Sequence, residues 1–228
     1  MVRRRLIVYA KRPLPGHAKT RLGATIGMEQ AAGVYARLLY TYLLNIAANT
    51  SGITVELSLA SAEDVDFFAA AFPEFVVRTQ SEGDLGDRMA RSFEQAYRES
   101  AEHVVLTGSD IPELSISAVR DAFAALQKPV ERRTNRIAGI VGPTTDGGYY
   151  LIGLQAPGAD LFSAIDWSTD RVLHQTEVAA RREHVALTHL QTMNDIDELP
   201  EYEVWWKQHN PVQASPEFLK TAQQLAEG

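Results

Sequence analysis

Length, composition and charge exclude several classes of protein: the chain has 228 residues, 45% of them hydrophobic, and no cysteine, so disulfides and thiolate sites are ruled out. Its formal net charge of −7 argues against a general nucleic-acid binder. The early apolar run is too short for a membrane span or a signal-peptide core, so we expect a cytoplasmic protein with no membrane span.

The hydrophobic pattern predicts strands that alternate with helices. Strands are predicted, in chain order, at 6–10, 55–60, 75–77, 104–106, 137–141, 149–154 and 185–190. Helices are predicted at 28–48, 62–71, 85–100 and 116–126, then after Thr169, at 200–208 and at 216–226. This alternation predicts a Rossmann-like, doubly wound, mainly parallel α/β sheet. We expect one domain over residues 1–210 and a helical tail over 211–228.

Positive charge is concentrated near the start of the chain, where residues 1–28 contain seven of the 22 basic residues and no acidic residue. The loop at 11–22, KRPLPGHAKTRL, directly follows the first predicted strand. Its candidate ligand-binding residues are Lys11, Arg12, Gly16, Lys19, Thr20 and Arg21. Fixed cations, a hydroxyl group and a glycine that admits a ligand to the backbone suit the phosphates of a nucleotide. The alternative is an ordinary basic surface turn.

Three aspartates follow predicted strands and are candidate metal ligands. Asp110 lies in the segment TGSDIP (107–112) after the strand at 104–106, and Asp195 and Asp197 follow the last strand. Mg²⁺ is usually held by one or two carboxylates together with phosphate oxygens and water. Asp195 and Asp197 lie two positions apart, and one of them could join Asp110. Alternatively, Asp110 caps the turn before Pro112.

Two glycine-rich segments and one aromatic segment are further candidates. Gly83, Asp84, Leu85 and Gly86 could contact a nucleotide base, or could simply begin a helix. In the segment GPTTDGGYY, the residues Thr145, Asp146, Gly147 and Gly148 could approach a ligand. A tight hairpin is the alternative interpretation of the same residues. The residues Trp167, Ser168 and Thr169 could line an acceptor pocket, with core packing as the alternative for the tryptophan.

Taken together, these segments resemble the nucleotide-diphospho-sugar transferase superfamily with the GT-A fold. The family that the chain resembles most is the bacterial DUF2064 family, on KRPLPGHAKTRL, EGDLGDRM, TGSDIP, GPTTDGGYYLIGL, DWST and NDID. The resemblance implies nucleotide bound across the first half of the sheet, with Asp110 at the superfamily's metal position. It also implies a second metal carboxylate at Asp195 or Asp197, as in phospholactate guanylyltransferase. Sugar-transferring members carry a D-x-D triplet where this chain has Gly108-Ser109-Asp110.

Three functions are compatible with these residues. The first is Mg²⁺- or Mn²⁺-dependent glycosyl transfer from a nucleotide-sugar to a small-molecule acceptor, with Asp146 as the candidate general base. The second is nucleotidyl transfer from a nucleoside triphosphate to a phosphate or carboxylate acceptor, which the cations Lys19 and Arg21 favour. The third is a non-catalytic nucleotide-binding module. The first two require that Lys19 and Asp110 converge at one edge of the sheet.

Overall fold

The computed structural model describes residues 2–112, 114–127, 136–157 and 160–208. Its strands are β1 (Arg4–Ala10), β2 (Ile53–Leu59), β3 (Val76–Thr79), β4 (His103–Thr107), β5 (Ile137–Pro143), β6 (Tyr149–Leu154) and β7 (Val185–His189). Its helices are α1 (Thr20–Ile26), α2 (Met28–Asn49), α3 (Val65–Ala71), α4 (Leu85–Arg98), α5 (Ile116–Leu126), α6 (Val172–Arg182) and α7 (Leu199–Gln208). A short 3₁₀ turn over Ala62–Asp64 leads into α3.

The strands form one sheet in the order β3-β2-β1-β4-β6-β5-β7. β6 pairs antiparallel with β4 and β5, and the other neighbouring strands pair parallel. The carboxyl ends of the six parallel strands therefore lie at one edge of the sheet, together with the amino end of β6. The chain order reverses between β1 and β4, which makes this junction the topological switch point where such sheets bind ligands. The predicted Rossmann-like, mainly parallel α/β fold is confirmed.

Helices cover both faces of the sheet, and β1 shows why its sequence is apolar throughout. Leu6 and Val8 belong to the core shared with α2, α3 and α5, whereas Ile7 belongs to the core shared with α4 and α6. All three side chains are fully buried. Each contributes about 1.5–3 kcal/mol to stability through burial, so the strand that carries the 11–22 loop is firmly fixed.

One predicted boundary differs from the structure. The end of the expected loop at 11–22 is helical, because α1 begins at Thr20 and is stabilised by the packing of Leu22 against Ile196 and Trp205. A helix of seven residues is too short to show a periodic sequence signal. The predicted helix at 216–226 and the tail at 211–228 lie outside the described residues. Within the described ranges, no helix is long and apolar enough to cross a bilayer.

Candidate functional site

A cleft of about 630 Å³ opens at the carboxyl edge of the sheet, above the junction of β1 and β4. Of the residues that the sequence singled out, those that line it are Lys11, Lys19, Thr20, Arg21, Leu85, Asp110, Ser168 and Asp197. They come from the loops after β1 and β4, from the start of α4 and from the segments before α6 and α7. The fold therefore brings together residues that are up to 186 positions apart in the sequence.

Lys19 is the centre of the charged cluster in this cleft. Its ammonium nitrogen Nζ donates hydrogen bonds to Asp110 Oδ2 at 3.0 Å and to Asp197 Oδ1 at 2.8 Å. Burial alone would lower the pKa of Lys19, but the attraction of the two carboxylates outweighs burial and raises this pKa above its ordinary value of 10.5. Lys19 and Asp110 thus meet at one edge of the sheet, as the sequence predicted.

The two late aspartates face different cavities. Asp197 lines the cleft, whereas Asp195 lines a neighbouring depression of about 250 Å³ beside Thr145 and Trp205. Residues two positions apart in a regular strand point to the same side, so this difference reflects the irregular backbone of residues 194–197. Burial, followed by repulsion from Asp197, raises the pKa of Asp195 to about 6. Its charge is therefore only partly compensated by its neighbours.

A chain of hydrogen bonds ties the two loops of the site together. Ser109 donates to the backbone carbonyl of Tyr9 at 2.9 Å, so its single hydroxyl proton is used there. The hydroxyl of Tyr35 must then donate to Ser109 Oγ, also at 2.9 Å, and it accepts the backbone N–H of Lys11 at 3.3 Å. These hydrogen bonds run from the 11–22 loop through Tyr35 of α2 to Ser109, the residue before Asp110. They therefore fix Asp110 relative to the cations of the loop.

The donor chemistry of the cleft suits a hard divalent cation. The side chains of Asp110 and Asp197 are 39% and 41% exposed, so their carboxylate oxygens remain accessible to a ligand that enters the cleft. Oxygen ligands of this kind, completed by phosphate and water, are those of Mg²⁺. Among the residues that the structure describes, no three acidic or histidine side chains form a ready-made metal cage. A metal would therefore need oxygens from its substrate.

Two of the six candidate residues in the 11–22 loop do not line the cleft. The guanidinium of Arg12 lies over the ring of Phe67 on α3, 4.3 Å from its centroid, and its backbone N–H donates to Asp64. Gly16 has φ of +79°, and in the described part of the chain no atom beyond its two neighbours lies within 4 Å of the position that a Cβ would occupy. The glycine therefore serves the left-handed backbone of the turn.

Residues 83–86 span the start of α4, and one of them also lines the cleft. Asp84 accepts a hydrogen bond from the backbone N–H of Asp87 at 2.9 Å and caps α4. This agrees with the interpretation of the segment as the start of a helix. Gly83 has φ of +109° in the preceding turn. Gly86 admits the indole of Trp167, whose Nε1 would lie 2.8 Å from an added Cβ. Leu85 alone of the four residues 83–86 lines the cleft.

The loop between β5 and β6 is a turn whose side chains bond to protein groups outside the cleft. Asp146 accepts hydrogen bonds from the hydroxyl of Thr144 at 2.5 Å and from the backbone N–H of Gly148 at 3.0 Å. Thr145 donates to Asn194, and Gly147 approaches the start of α6. Neither Asp146 nor its neighbours Thr145, Gly147 and Gly148 line the cleft. The hairpin interpretation accounts for these residues.

The segment before α6 contributes one residue to the cleft. Trp167 packs against the ring of Tyr149 in a T-shaped arrangement, and Thr169 accepts the backbone N–H of Arg171 in the turn before α6. Ser168, which has φ of +63°, lies between them and lines the cleft. Of the three predicted acceptor residues, the serine is therefore the one in position to contact a ligand.

Comparison with known proteins identifies the family. Residues 43–169, more than half of the chain, match the family model DUF2064, described as an uncharacterized protein conserved in bacteria. The chain belongs to the DUF2064 family. Asp110 and the β5–β6 loop of this DUF2064 protein lie inside the matched segment, while Lys19 and Asp197 lie outside it. No curated protein matches the chain.

Solved structures similar to the DUF2064 chain include transferases. A protein from Desulfovibrio desulfuricans G20, provisionally named a nucleotide-diphospho-sugar transferase, is 27% identical with a TM-score of 0.81; the alignment covers 100% of this chain and 98% of that one. Glucosyl-3-phosphoglycerate synthase from Mycobacterium tuberculosis, in complex with Mn²⁺, UDP and glucosyl-3-phosphoglycerate, is 10% identical with a TM-score of 0.53 (99% and 80% covered).

A third similar structure is CMP:2-keto-3-deoxy-manno-octonic acid synthetase in complex with CTP, at 10% identity and a TM-score of 0.52, with 91% of this chain and 99% of that chain covered. At 10% identity, this synthetase and the glucosyl-3-phosphoglycerate synthase show the fold alone. The fold of the DUF2064 chain is thus that of nucleotide-sugar transferases and nucleotidyltransferases.

Sequence analysis missed several residues of the cleft. They are Tyr9, Tyr35, Gln80, Met89, Ser109 and Tyr149. Position could have indicated two of them, since Gln80 directly follows β3 and Tyr149 begins β6. Tyr35 carried no such signal, because its spacing on α2 is that of an ordinary core residue.

Proposed function

We propose that this DUF2064 protein is a metal-dependent transferase that binds the diphosphate of a nucleotide-activated sugar in the cleft and transfers the glycosyl group to a small-molecule acceptor. The observation that carries the proposal is the 3.0 Å contact between Lys19, which follows β1, and Asp110, which follows β4. A cation and a metal-binding type of carboxylate thus meet at the switch point of the sheet. We assign the activity to one domain over residues 1–210.

The phosphate-binding part of the proposal rests on three cations from one loop. Lys11, Lys19 and Arg21 all line the cleft, and the Arg21 side chain is 69% exposed. Negative charge develops on the diphosphate as it leaves, so cations fixed at that point lower the barrier. Arg21 has a planar guanidinium that can hold two phosphate oxygens at once. Thr20 adds a hydroxyl donor at the first residue of α1.

The metal part of the proposal rests on Asp110 and Asp197. We assign these carboxylates as ligands of Mg²⁺ or Mn²⁺, with Asp195 adding negative potential from the neighbouring depression. A bound divalent cation would neutralise the departing diphosphate. The similar glucosyl-3-phosphoglycerate synthase structure contains Mn²⁺. The residues of this chain would hold the cation and align the phosphates, and the Tyr35 hydrogen-bond chain would keep Asp110 in place.

The remaining surfaces of the cleft suggest how donor and acceptor share it. Leu85 and Met89 belong to α4 and Gln80 directly follows β3, and their apolar surface and single amide suit a nucleoside. Ser168 precedes α6 and Tyr149 begins β6. We assign the nucleoside to the first group and the acceptor to the second.

Nucleotidyl transfer is the second candidate, and the position of Asp146 favours it. This candidate general base is engaged by Thr144 and Gly148 in its own turn and does not line the cleft. A phosphate or carboxylate acceptor is already anionic and needs no strong base. The same cations would then bind the triphosphate of the donor, and pyrophosphate would leave.

Thermal unfolding with Mg²⁺ and a panel of nucleotides tests the proposal. A ligand at 100 times its dissociation constant adds about 2.7 kcal/mol of stability, which for a chain of this length raises Tm by about 5–11 °C. Stabilisation by UDP-glucose or GDP-mannose but not by GTP or CTP supports glycosyl transfer, and the reverse supports nucleotidyl transfer. If none of these nucleotides stabilises the protein, the proposed function is refuted.

Asp110→Asn tests the site itself. This variant should fold normally, because the Asp110 side chain is 39% exposed, but should lose the Mg²⁺-dependent part of the nucleotide effect. Asp121→Asn is the matched control, since it makes the same charge change on the exposed surface of α5. Equal nucleotide stabilisation of the two variants would contradict the metal assignment.

A further inference from the structure

The ammonium of Lys19 occupies the space between the two carboxylates that we assign to the metal. Nζ lies 3.0 Å from Asp110 Oδ2 and 2.8 Å from Asp197 Oδ1, and the Lys19 side chain is only 3% exposed. A cation that used oxygens from both aspartates would have to lie where this ammonium is. Two cations at the same oxygens repel strongly. In this arrangement Lys19 therefore competes with the metal.

The backbone of Lys19 is held in a conformation that lysine disfavours. Its φ of 50° and ψ of 46° fall in the left-handed region, at the residue that precedes α1. In this region the Cβ of an L-residue crowds the following carbonyl oxygen, so the conformation is unfavourable for residues other than glycine. The two ion pairs offset that cost and keep the ammonium aimed at the aspartates. The packing of Leu22 against Trp205 keeps α1, and with it Lys19, beside the segment that carries Asp197.

A displaced Lys19 would have a new partner only when phosphate is present. The flexible four-carbon stem of lysine lets its ammonium change partners without moving the backbone. Arg21, which is 3.8 Å from Asp197 and largely exposed, shows that the rest of the loop already faces open space in the cleft. Phosphate oxygens bound there would lie beside Lys11, Arg21 and the end of the Lys19 side chain.

We propose that Lys19 is an internal counter-ion that holds Asp110 and Asp197 together until a divalent cation and a nucleotide enter, and that its ammonium then moves to the phosphates. This inference rests on the proposed function and adds how the site is loaded. A metal ion that binds alone must displace the ammonium from the two aspartates and leaves it without a new partner. When a nucleotide binds with the metal, its phosphates supply that partner. Binding of metal and binding of nucleotide should therefore reinforce each other.

Titration of the full chain with MnCl₂ in the absence of nucleotide tests the competition. Lys19→Met keeps the length of the side chain but removes the charge, so the variant should bind Mn²⁺ about tenfold more tightly than the unaltered protein, a typical effect of one close charge. With saturating Mn²⁺, the same variant should bind UDP or CTP more weakly. Opposite changes in the two affinities are the signature of an ammonium that exchanges partners.

Control variants make the result specific. Arg21→Met removes the same charge from the same loop but should change Mn²⁺ affinity much less, because its guanidinium lies outside the pair of aspartates. Adding Asp110→Asn to Lys19→Met should abolish the gain in Mn²⁺ affinity. Lys19→Gly relieves the left-handed backbone and should show the same gain, which separates the loss of charge from any misfolding of the methionine variant.

The inference is overturned if Lys19→Met and Lys19→Gly bind Mn²⁺ no more tightly than the unaltered chain, or if Arg21→Met shows an equal gain. A gain in Mn²⁺ affinity with unchanged nucleotide affinity would overturn the transfer of the ammonium to phosphate. Failure of the proposed function looks different, because then no nucleotide binds the unaltered protein, while the Mn²⁺ titration still decides whether Lys19 competes.

Discussion

The hydroxyl of Tyr35 offers the sharpest test of how the site is held together. It links the backbone N–H of Lys11 to the hydroxyl of Ser109, at 3.3 Å and 2.9 Å, in a fully buried position on α2. Burial raises the pKa of Tyr35 to about 12, so the hydroxyl keeps its proton and remains a donor at neutral pH. Tyr35→Phe removes both hydrogen bonds and leaves the ring in place.

The expected magnitude follows from these two bonds. Each buried hydrogen bond contributes about 0.5–1.5 kcal/mol net, and the N–H of Lys11 loses its partner, so unfolding should become about 1–2 kcal/mol easier. For a chain of this length, Tm should fall by about 2–8 °C. Because Ser109 directly precedes Asp110, metal-dependent nucleotide affinity should also fall, by about tenfold or 1.4 kcal/mol.

Tyr42 provides a matched control on the same helix. Its buried hydroxyl bonds to Thr107 Oγ1 at 3.2 Å, but this residue does not line the cleft. Tyr42→Phe should lower Tm by a comparable amount and leave nucleotide affinity unchanged. Both variants are measured by urea unfolding and by calorimetric titration with UDP and CTP at saturating Mg²⁺. If Tyr35→Phe binds nucleotide as tightly as Tyr42→Phe, the hydrogen-bond chain does not position Asp110.

Three further predictions concern stability. Gly147→Ala would place a Cβ against the backbone oxygen of Asp170 at φ of +87°, whereas a Cβ at Gly16, with φ of +79°, meets no atom of the described residues beyond its chain neighbours. Urea unfolding should therefore show a loss at least about 1 kcal/mol larger for Gly147→Ala; equal losses would contradict this packing. Hydrogen bonds, first of all from Arg78, lower the pKa of Glu99 from 4.5 to about 2, so its stabilisation is complete above pH 4.5 and is lost as the pH falls toward 2. Glu99→Gln should therefore flatten the acid limb of a stability-against-pH curve, and an unchanged limb would exclude this carboxylate as its origin. Trp205→Ala removes a buried side chain that packs α7 onto α1 and α2. The free energy of unfolding, measured with denaturant, should fall by about 3 kcal/mol. A fall below about 1 kcal/mol would show that this contact does not hold α7.

The sequence was sufficient for the elements that carry strong local patterns. The apolar run at 6–10 predicts β1, because both faces of this strand are buried. The 3.6-residue spacing of Tyr35, Leu39 and Tyr42 predicts α2, because these residues form one apolar stripe that packs on the core. The charge asymmetry and the position of Asp110 after a buried strand were enough to predict that cation and carboxylate share an edge. The short helix α1 was missed, since its stability comes from contacts with residues far along the chain.

The composition of the site, by contrast, depended on tertiary packing. Whether Arg12 faces the cleft or the ring of Phe67, and whether Asp146 faces a ligand or its own turn, follows from short-range contacts that no spacing encodes. The same holds for the different cavities that Asp195 and Asp197 face, and for the position of the Lys19 ammonium between Asp110 and Asp197. Local periodicity records which face of an element is buried, but the partner of a polar side chain is fixed only when elements distant in sequence are packed against each other.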